Sequence, residues 1–162
     1  MYLTPLTSTS QLPANSVPED FPEVVLAALS AKPLFIPLDS VKVSAGFPSP
    51  AADYEDRRLD INEYLVRNPV STFFFVVEGN SMEGAEIFDG DILVVDKSIR
   101  PTHGSIVIAF VDGQRLVKRL YKRGQRVALL AENPLYRPLE IGEGMELTIW
   151  GVVTGKFKRL GG

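Results

Sequence analysis

The 162 residues predict a mainly β protein: a compact β-rich domain preceded by a flexible N-terminal arm with one short helix. Three observations carry this. From Ser71 onward, apolar runs and alternating stretches of strand length follow one another at about 71–77, 92–96, 105–111, 114–122, 125–130 and 146–158. Turn signals such as Asp112-Gly113 and Arg123-Gly124 separate several of them, the first a hairpin signal. Residues 1–20 are rich in Pro, Ser, Thr and Asn, with almost no periodicity.

In chain order, residues 1–20 read as a mobile arm. Apolar positions at 21, 24, 25, 28 and 29, with acids in the first turn, predict one short helical stripe ended by Lys32-Pro33. A helix-turn-helix needs a second helix, for which there is no room, so a DNA-binding head is not expected. Residues 33–38 read as extended and proline-broken. Val41, Val43 and Ala45 alternate with polar residues as in a short strand, and Pro48 and Pro50 stop it. The small residues Ser44, Ala45 and Gly46 suit either a linker strand before a domain boundary or a protease-sensitive segment. Asp60-Ile61-Asn62-Glu63 opens a short helix to about Arg67, ended by Asn68-Pro69.

Glu78-Gly79-Asn80-Ser81-Met82 follows the apolar run Phe73–Val77, so Ser81 sits just off a strand end with small residues around it. Room for another backbone suits a nucleophilic serine, and it equally describes an ordinary glycine turn. In Gln114–Arg123, Leu116, Lys118 and Leu120 share one strand face, and Arg115, Arg119 and Arg123 share the other. If the leucine face is the core face, Lys118 goes inward, and desolvation lowers its pKa from the ordinary lysine value of about 10.4. A neutral amine beside a serine hydroxyl is the general base of Ser-Lys catalysis. The other reading has Lys118 snorkelling to water from an edge strand.

Composition narrows the chemistry. The formal net charge is -3, and cysteine is absent. That excludes disulfides, thiolate metal sites and cysteine nucleophiles, and argues against a non-specific nucleic-acid binder. The single histidine, His103, reads as a turn residue, with the base of a Ser-His pair as the alternative, and one histidine excludes a multi-histidine metal site. Asp89-Gly90-Asp91 reads as a turn, because the remaining oxygen ligands of a calcium loop are out of register. Neither metal nor cofactor is expected. Lys122, Arg123 and Arg126 read as a solvated strand end, with direct contact to DNA as the alternative. No signal peptide or apolar span is evident, so a cytoplasmic location is expected.

Ala45-Gly46-Phe47-Pro48-Ser49-Pro50-Ala51-Ala52-Asp53-Tyr54, Gly79-Asn80-Ser81-Met82, Asp89-Gly90-Asp91 and Leu116-Val117-Lys118-Arg119-Leu120 together resemble the UmuD-type SOS mutagenesis proteins. These are relatives of LexA in the self-cleaving Ser-Lys peptidase group, and the likeness runs from about Val41 to Leu160. The resemblance implies Ser81 as nucleophile, Lys118 as general base and Ala45–Gly46 as the bond cut. It divides the chain into a removable arm, 1–45, and a peptidase and dimerisation domain, 46–162. Alanine stands before the scissile glycine as in LexA, where UmuD proteins usually have cysteine. Backbone N–H groups of Asn80 and Ser81 are the expected oxyanion donors. The implied partners are a RecA filament on single-stranded DNA, a UmuC-type Y-family DNA polymerase and a second copy of the chain. The other functional classes are a non-cleaving dimeric regulator of polymerase or RecA, and a LexA-like repressor lacking its DNA-binding head.

Overall fold

The computed structural model describes residues 25–26, 33–38, 45–46 and 57–161. The expected arm at 1–20 and strand at 41–44 lie outside the described residues.

Among the described residues there are ten strands, one short helix and one 3-10 turn. The first three strands are β1 (Val25–Leu26), β2 (Phe35–Leu38) and β3 (Arg57–Asp60), and helix α1 (Ile61–Leu65) follows directly. The Asp60 carboxylate caps α1 by accepting from the Asn62 N–H at 2.9 Å, as the acidic start of this helix predicts. Next come β4 (Thr72–Val76), the 3-10 turn Glu83–Ala85, β5 (Ile92–Asp96), β6 (Ile106–Val111), β7 (Gln114–Arg123) and β8 (Arg126–Leu130). The last two are β9 (Leu139–Glu140) and β10 (Leu147–Phe157). The six long strands thus lie where the apolar patterning places them.

Eight strands form one antiparallel sheet in the order β1-β4-β5-β10-β6-β7-β8-β9, and β2 pairs with β3 in a second, two-stranded sheet. The β6–β7 hairpin closes through Asp112 (φ 47°) and Gly113 (φ 81°), with Val111 opposite Gln114. Two successive left-handed residues match the turn that suits the strand twist. Strand β10 runs through the middle and shifts register twice, between Ile149 and Gly151 against β6 and between Val153 and Gly155 against β5. A Cβ at Gly151 would lie 2.8 Å from Val95 Cγ1, so only glycine allows β10 to lie this close to β5.

Two apolar clusters form the core. The first gathers Phe75, Val77, Met82, Ile87, Leu93, Val95 and Ile108, with Trp150 edge-on to Phe73 and Phe75. The second gathers Val107, Ala109, Val111, Leu120, Leu129 and Val152. Even and odd residues of β6 therefore enter different clusters, which explains its continuous apolar run. Strand β7 behaves alike: Leu116 and Leu120 pack on the second cluster, and Val117 on the first. Its arginine face is correspondingly half covered. Arg115 lies over Phe75 and Phe110, and Arg119 pairs with Glu132.

Two expectations need correction. The helix predicted across positions 21–29 is contradicted at Val25 and Leu26, which form β1 opposite Phe74 and Phe73 of β4. The exposed edge of β4 offers unpaired backbone groups, and satisfying them outweighs a short amphipathic stripe. The segment 33–38, read as extended and proline-broken, is extended, but its pairing runs unbroken through Pro37: Phe35–Leu38 lies residue for residue opposite Asp60–Arg57. Leu34 adds a contact at the end of that ladder, its N–H 3.3 Å from Asp60 Oδ1.

Candidate active site

The loop between β4 and β5 is held from both ends before Ser81 is reached. The Val77 N–H donates to the Asp91 carbonyl at 2.8 Å, and the Gly90 N–H to the Val77 carbonyl at 2.9 Å. Gly79 takes φ 87°, and its N–H donates to Asp89 Oδ1 at 2.7 Å. That left-handed conformation is where glycine is needed. Beneath the loop, Met82 and Ile87 drop into the first apolar cluster.

Asp91 anchors the far side. Its carboxylate is buried, accepts from the Phe88 N–H at 3.0 Å and from Lys156 Nζ at 2.8 Å, and lies 3.5 Å from Lys158 Nζ. Burial alone would raise its pKa, but the Lys156 and Phe88 hydrogen bonds and the two ammonium charges hold it below the usual carboxylate range. The Asp89–Asp91 segment is therefore a turn that braces the serine loop.

The 132–136 turn after β8 clamps the near side. The Glu132 N–H donates to the Ser81 carbonyl at 2.9 Å, and the Glu132 carbonyl accepts from the Gly84 N–H at 2.6 Å. Asn133 Nδ2 donates to the Asn80 carbonyl at 2.9 Å, and the Tyr136 hydroxyl to Asn80 Oδ1 at 2.6 Å. The Glu132 carboxylate also pairs with Arg119, whose guanidinium donates to the Gly104 carbonyl at 2.7 Å. The loop carrying Ser81 is thus tied to the strand carrying Lys118.

Lys118 lies in the middle of β7 opposite Val107, and its Nζ is 2.5 Å from Ser81 Oγ. Its second contact is the Val117 carbonyl at 3.1 Å. The side chain is half buried, and burial lowers its pKa from the ordinary lysine value. No carboxylate among the described residues forms an ion pair with Lys118 to oppose that shift. As an ammonium, Lys118 donates to Ser81; as a neutral amine, it can accept the hydroxyl proton. The snorkelling alternative does not hold, because the amine ends on the serine. Neither Asn80 nor Ser81 donates its backbone N–H to another described residue.

Ala45 and Gly46 form an exposed bend, and a Cβ added to Gly46 would meet nothing within 4 Å. They lie in the 39–56 connection between β2 and β3, so the paired strands flank them on both sides. His103 sits in an exposed turn, where its Nδ1 accepts from the Lys122 N–H at 3.2 Å and its ring meets Tyr121 edge-on. Within the basic cluster, Arg126 pairs with Glu140, and Arg123 and Arg126 lie over Tyr121. A cleft of about 490 Å³ runs between Phe74–Glu78 and Arg115–Val117, and neither Ser81 nor Lys118 lines it. Among the described residues, no three metal-ligating side chains converge, and no helix is long and apolar enough to cross a membrane.

Glu132, Asn133 and Tyr136 escape the sequence reading. Asn133-Pro134 looks like any turn after a strand, and its partners lie about fifty residues away (|i−j| 53 for Asn133–Asn80).

Residues 37–154 match the Peptidase S24-like family. Protein MucA of Escherichia coli is 48% identical over 122 residues, which cover 74% of this chain and 82% of that protein. Protein ImpA of Salmonella typhimurium is 45% identical over 125 residues, 76% of this chain and 83% of its own length. The LexA repressor of Bordetella avium is 35% identical over 140 residues, 86% of this chain and 64% of the repressor.

Proposed function

Because this chain belongs to the Peptidase S24-like family, we propose that it is a self-cleaving serine peptidase of the DNA-damage response that cuts its own Ala45–Gly46 bond. The observation that carries this reading is the 2.5 Å contact between Ser81 Oγ and the half-buried amine of Lys118. Neutral Lys118 takes the hydroxyl proton as Ser81 Oγ attacks the Ala45 carbonyl carbon. The carbonyl oxygen becomes the oxyanion, received by the amide N–H groups of Asn80 and Ser81. The C–N bond breaks, Lys118 returns the proton to the Gly46 nitrogen, and an Ala45 ester on Ser81 remains. Water, deprotonated by the same amine, hydrolyses that ester.

Ala45 and Gly46 form an exposed bend, and the bond is cut once it docks against Ser81. The apolar cleft beside Val117 is large enough to receive a short extended segment of chain. A RecA filament on single-stranded DNA is the proposed stimulus for that docking. The shortened chain, 46–162, would act as a homodimer in the cytoplasm, as the accessory subunit of a UmuC-type Y-family polymerase in error-prone lesion bypass. The same exposed bend favours a second reading, in which the chain is a dimeric regulator of polymerase or RecA that does not cleave.

Fragment masses after incubation with RecA, nucleotide and single-stranded DNA test the two readings. Wild type should yield new ends at Ala45 and Gly46, and Ser81→Ala should stay whole with an unchanged melting temperature. Intact wild type beside active RecA would leave the non-cleaving regulator as the function. Normal cutting of Ser81→Ala would remove Ser81 from the mechanism.

A further inference from the structure

We propose that Asn133, braced by Tyr136, is a positioning residue that aims the Ser81 amide N–H at the oxyanion. The proposal rests on the peptidase reading above and adds to it two side chains that touch neither the nucleophile nor the base. The carbonyl of Asn80 and the N–H of Ser81 belong to one peptide unit. In a trans peptide these two groups point in opposite directions within one plane, and no cis peptide bond occurs among the described residues. Asn133 Nδ2 holds the Asn80 carbonyl at 2.9 Å, so the Ser81 N–H is directed away from Asn133. That N–H donates to no other described residue, which leaves it available to a developing charge.

Several details show that the hold is stiff. Asn133 is buried, and its Oδ1 accepts from the Leu135 N–H at 3.0 Å, which fixes the amide orientation. The Tyr136 hydroxyl holds the Asn80 side chain at 2.6 Å. The next peptide unit is held as well, through the Ser81 carbonyl on the Glu132 N–H. Rotation of the Asn80–Ser81 peptide must therefore break the Asn133 bond. An oxyanion donor is effective when it needs no reorientation during the reaction.

The test uses the full chain and its spontaneous cleavage over an alkaline pH series, with a fluorophosphonate probe reporting on Ser81. Asn133→Asp keeps an oxygen for the Leu135 N–H but replaces the donor with an oxygen that repels the Asn80 carbonyl. Its plateau rate and its probe labelling should both fall about 30- to 100-fold. Tyr136→Phe removes one exposed hydroxyl and should lower both about fivefold, the effect of one hydrogen bond. The midpoint of the pH profile should stay at the wild-type value in Tyr136→Phe, which adds no charge and does not touch Lys118, whereas the carboxylate of Asn133→Asp can raise it.

Wild-type rates in folded Asn133→Asp and in Tyr136→Phe would overturn the proposal and leave the peptidase reading intact. A displaced midpoint in Tyr136→Phe would also overturn it, since the effect would then run through the base. Should Asn133→Asp fail to fold, Tyr136→Phe decides alone: an unchanged rate overturns the proposal, and a loss at constant midpoint and melting temperature supports it. If wild type neither cleaves nor takes the probe, the peptidase reading falls and this proposal with it.

Discussion

Replacing Gly84 with alanine strikes the contact that sets the distance between the serine loop and the 132–136 turn. Gly84 is not in the left-handed region, so space alone is at issue. Its N–H donates to the Glu132 carbonyl at 2.6 Å. An added Cβ would lie 3.3 Å from the Glu132 carbonyl carbon and would overlap the carbonyl oxygen. The oxygen must retreat by roughly 1 Å to reach an ordinary contact. Overpacking of this kind costs about 1–3 kcal/mol, and the weakened hydrogen bond adds about 1 kcal/mol. A loss of roughly 2–4 kcal/mol corresponds to a melting temperature lower by about 8–15 °C for a domain near this size. Chemistry should suffer separately, because the Glu132 N–H holds the Ser81 carbonyl. A displacement of about 1 Å at a reacting group costs on the order of a hundredfold in rate. Gly142→Ala is the control, since a Cβ there meets nothing within 4 Å and its φ is not left-handed. Differential scanning calorimetry and the alkaline cleavage rate, read well below the melting transition, give the two answers. If Gly84→Ala matches Gly142→Ala in both, the close approach does not matter. If only stability falls, Glu132 does not govern the position of Ser81.

Further predictions concern the base, the bond and the brace. Spontaneous cleavage should rise about tenfold per pH unit while Lys118 is mostly protonated and level off near its lowered pKa. Lys118→Arg should be inactive throughout, because guanidinium stays protonated; a wild-type pH profile in this variant would disprove the general-base role. Lowering of the folded-state pKa means that the unfolded chain binds more protons, so Lys118→Met should melt higher than wild type at neutral pH, with the gap closing as pH passes about 10. Gly46→Glu should keep the wild-type melting temperature, because the bend has open space, yet lose cleavage; a cut at the usual place would show that the bond tolerates a large side chain when docked. Asp91 has a depressed folded-state pKa, so its stabilisation is complete above the unfolded carboxylate value of about 4 and is lost as pH falls through the folded value. Asp91→Asn should therefore melt lower at pH 7 and lose less on acidification, as thermal melts from pH 7 to pH 2 would reveal.

Much of the body was legible because its signals are local. Strand β5 falls at Ile92–Asp96 as its apolar run predicts, and Asp112-Gly113 closes the hairpin its dipeptide announces. Alternation along Gln114–Arg123 placed Lys118 on the face of Leu116 and Leu120, and the structure keeps it there. Alternation could not report that Val117, on the opposite face, is also core. That depends on β10 carrying Trp150 against Phe75, a contact between segments far apart in sequence.

Positions 21–29 show the limit of periodicity. Five apolar positions at helical spacing describe an amphipathic helix, yet Val25 and Leu26 lie in a strand. The competing partner was the open edge of β4, whose unpaired backbone groups leave no trace in the sequence of the arm. Phe35–Leu38 found its partner in Arg57–Asp60 for the same reason.

The sequence by itself determined a β-rich body, a serine just past a strand end, a lysine within a strand and the order of motifs that marks the family. Each of these depends on residues within a few positions of one another, where backbone period and turn chemistry act. Tertiary structure alone decided that Nζ and Oγ, 37 residues apart, meet at 2.5 Å. It alone placed Asn133 and Tyr136 on Asn80, Glu132 on Ser81, and Lys156 and Lys158 on Asp91. Those contacts exist because the antiparallel sheet brings segments far apart in sequence to one place, and burial there makes each unpaired polar group costly enough to select its partner.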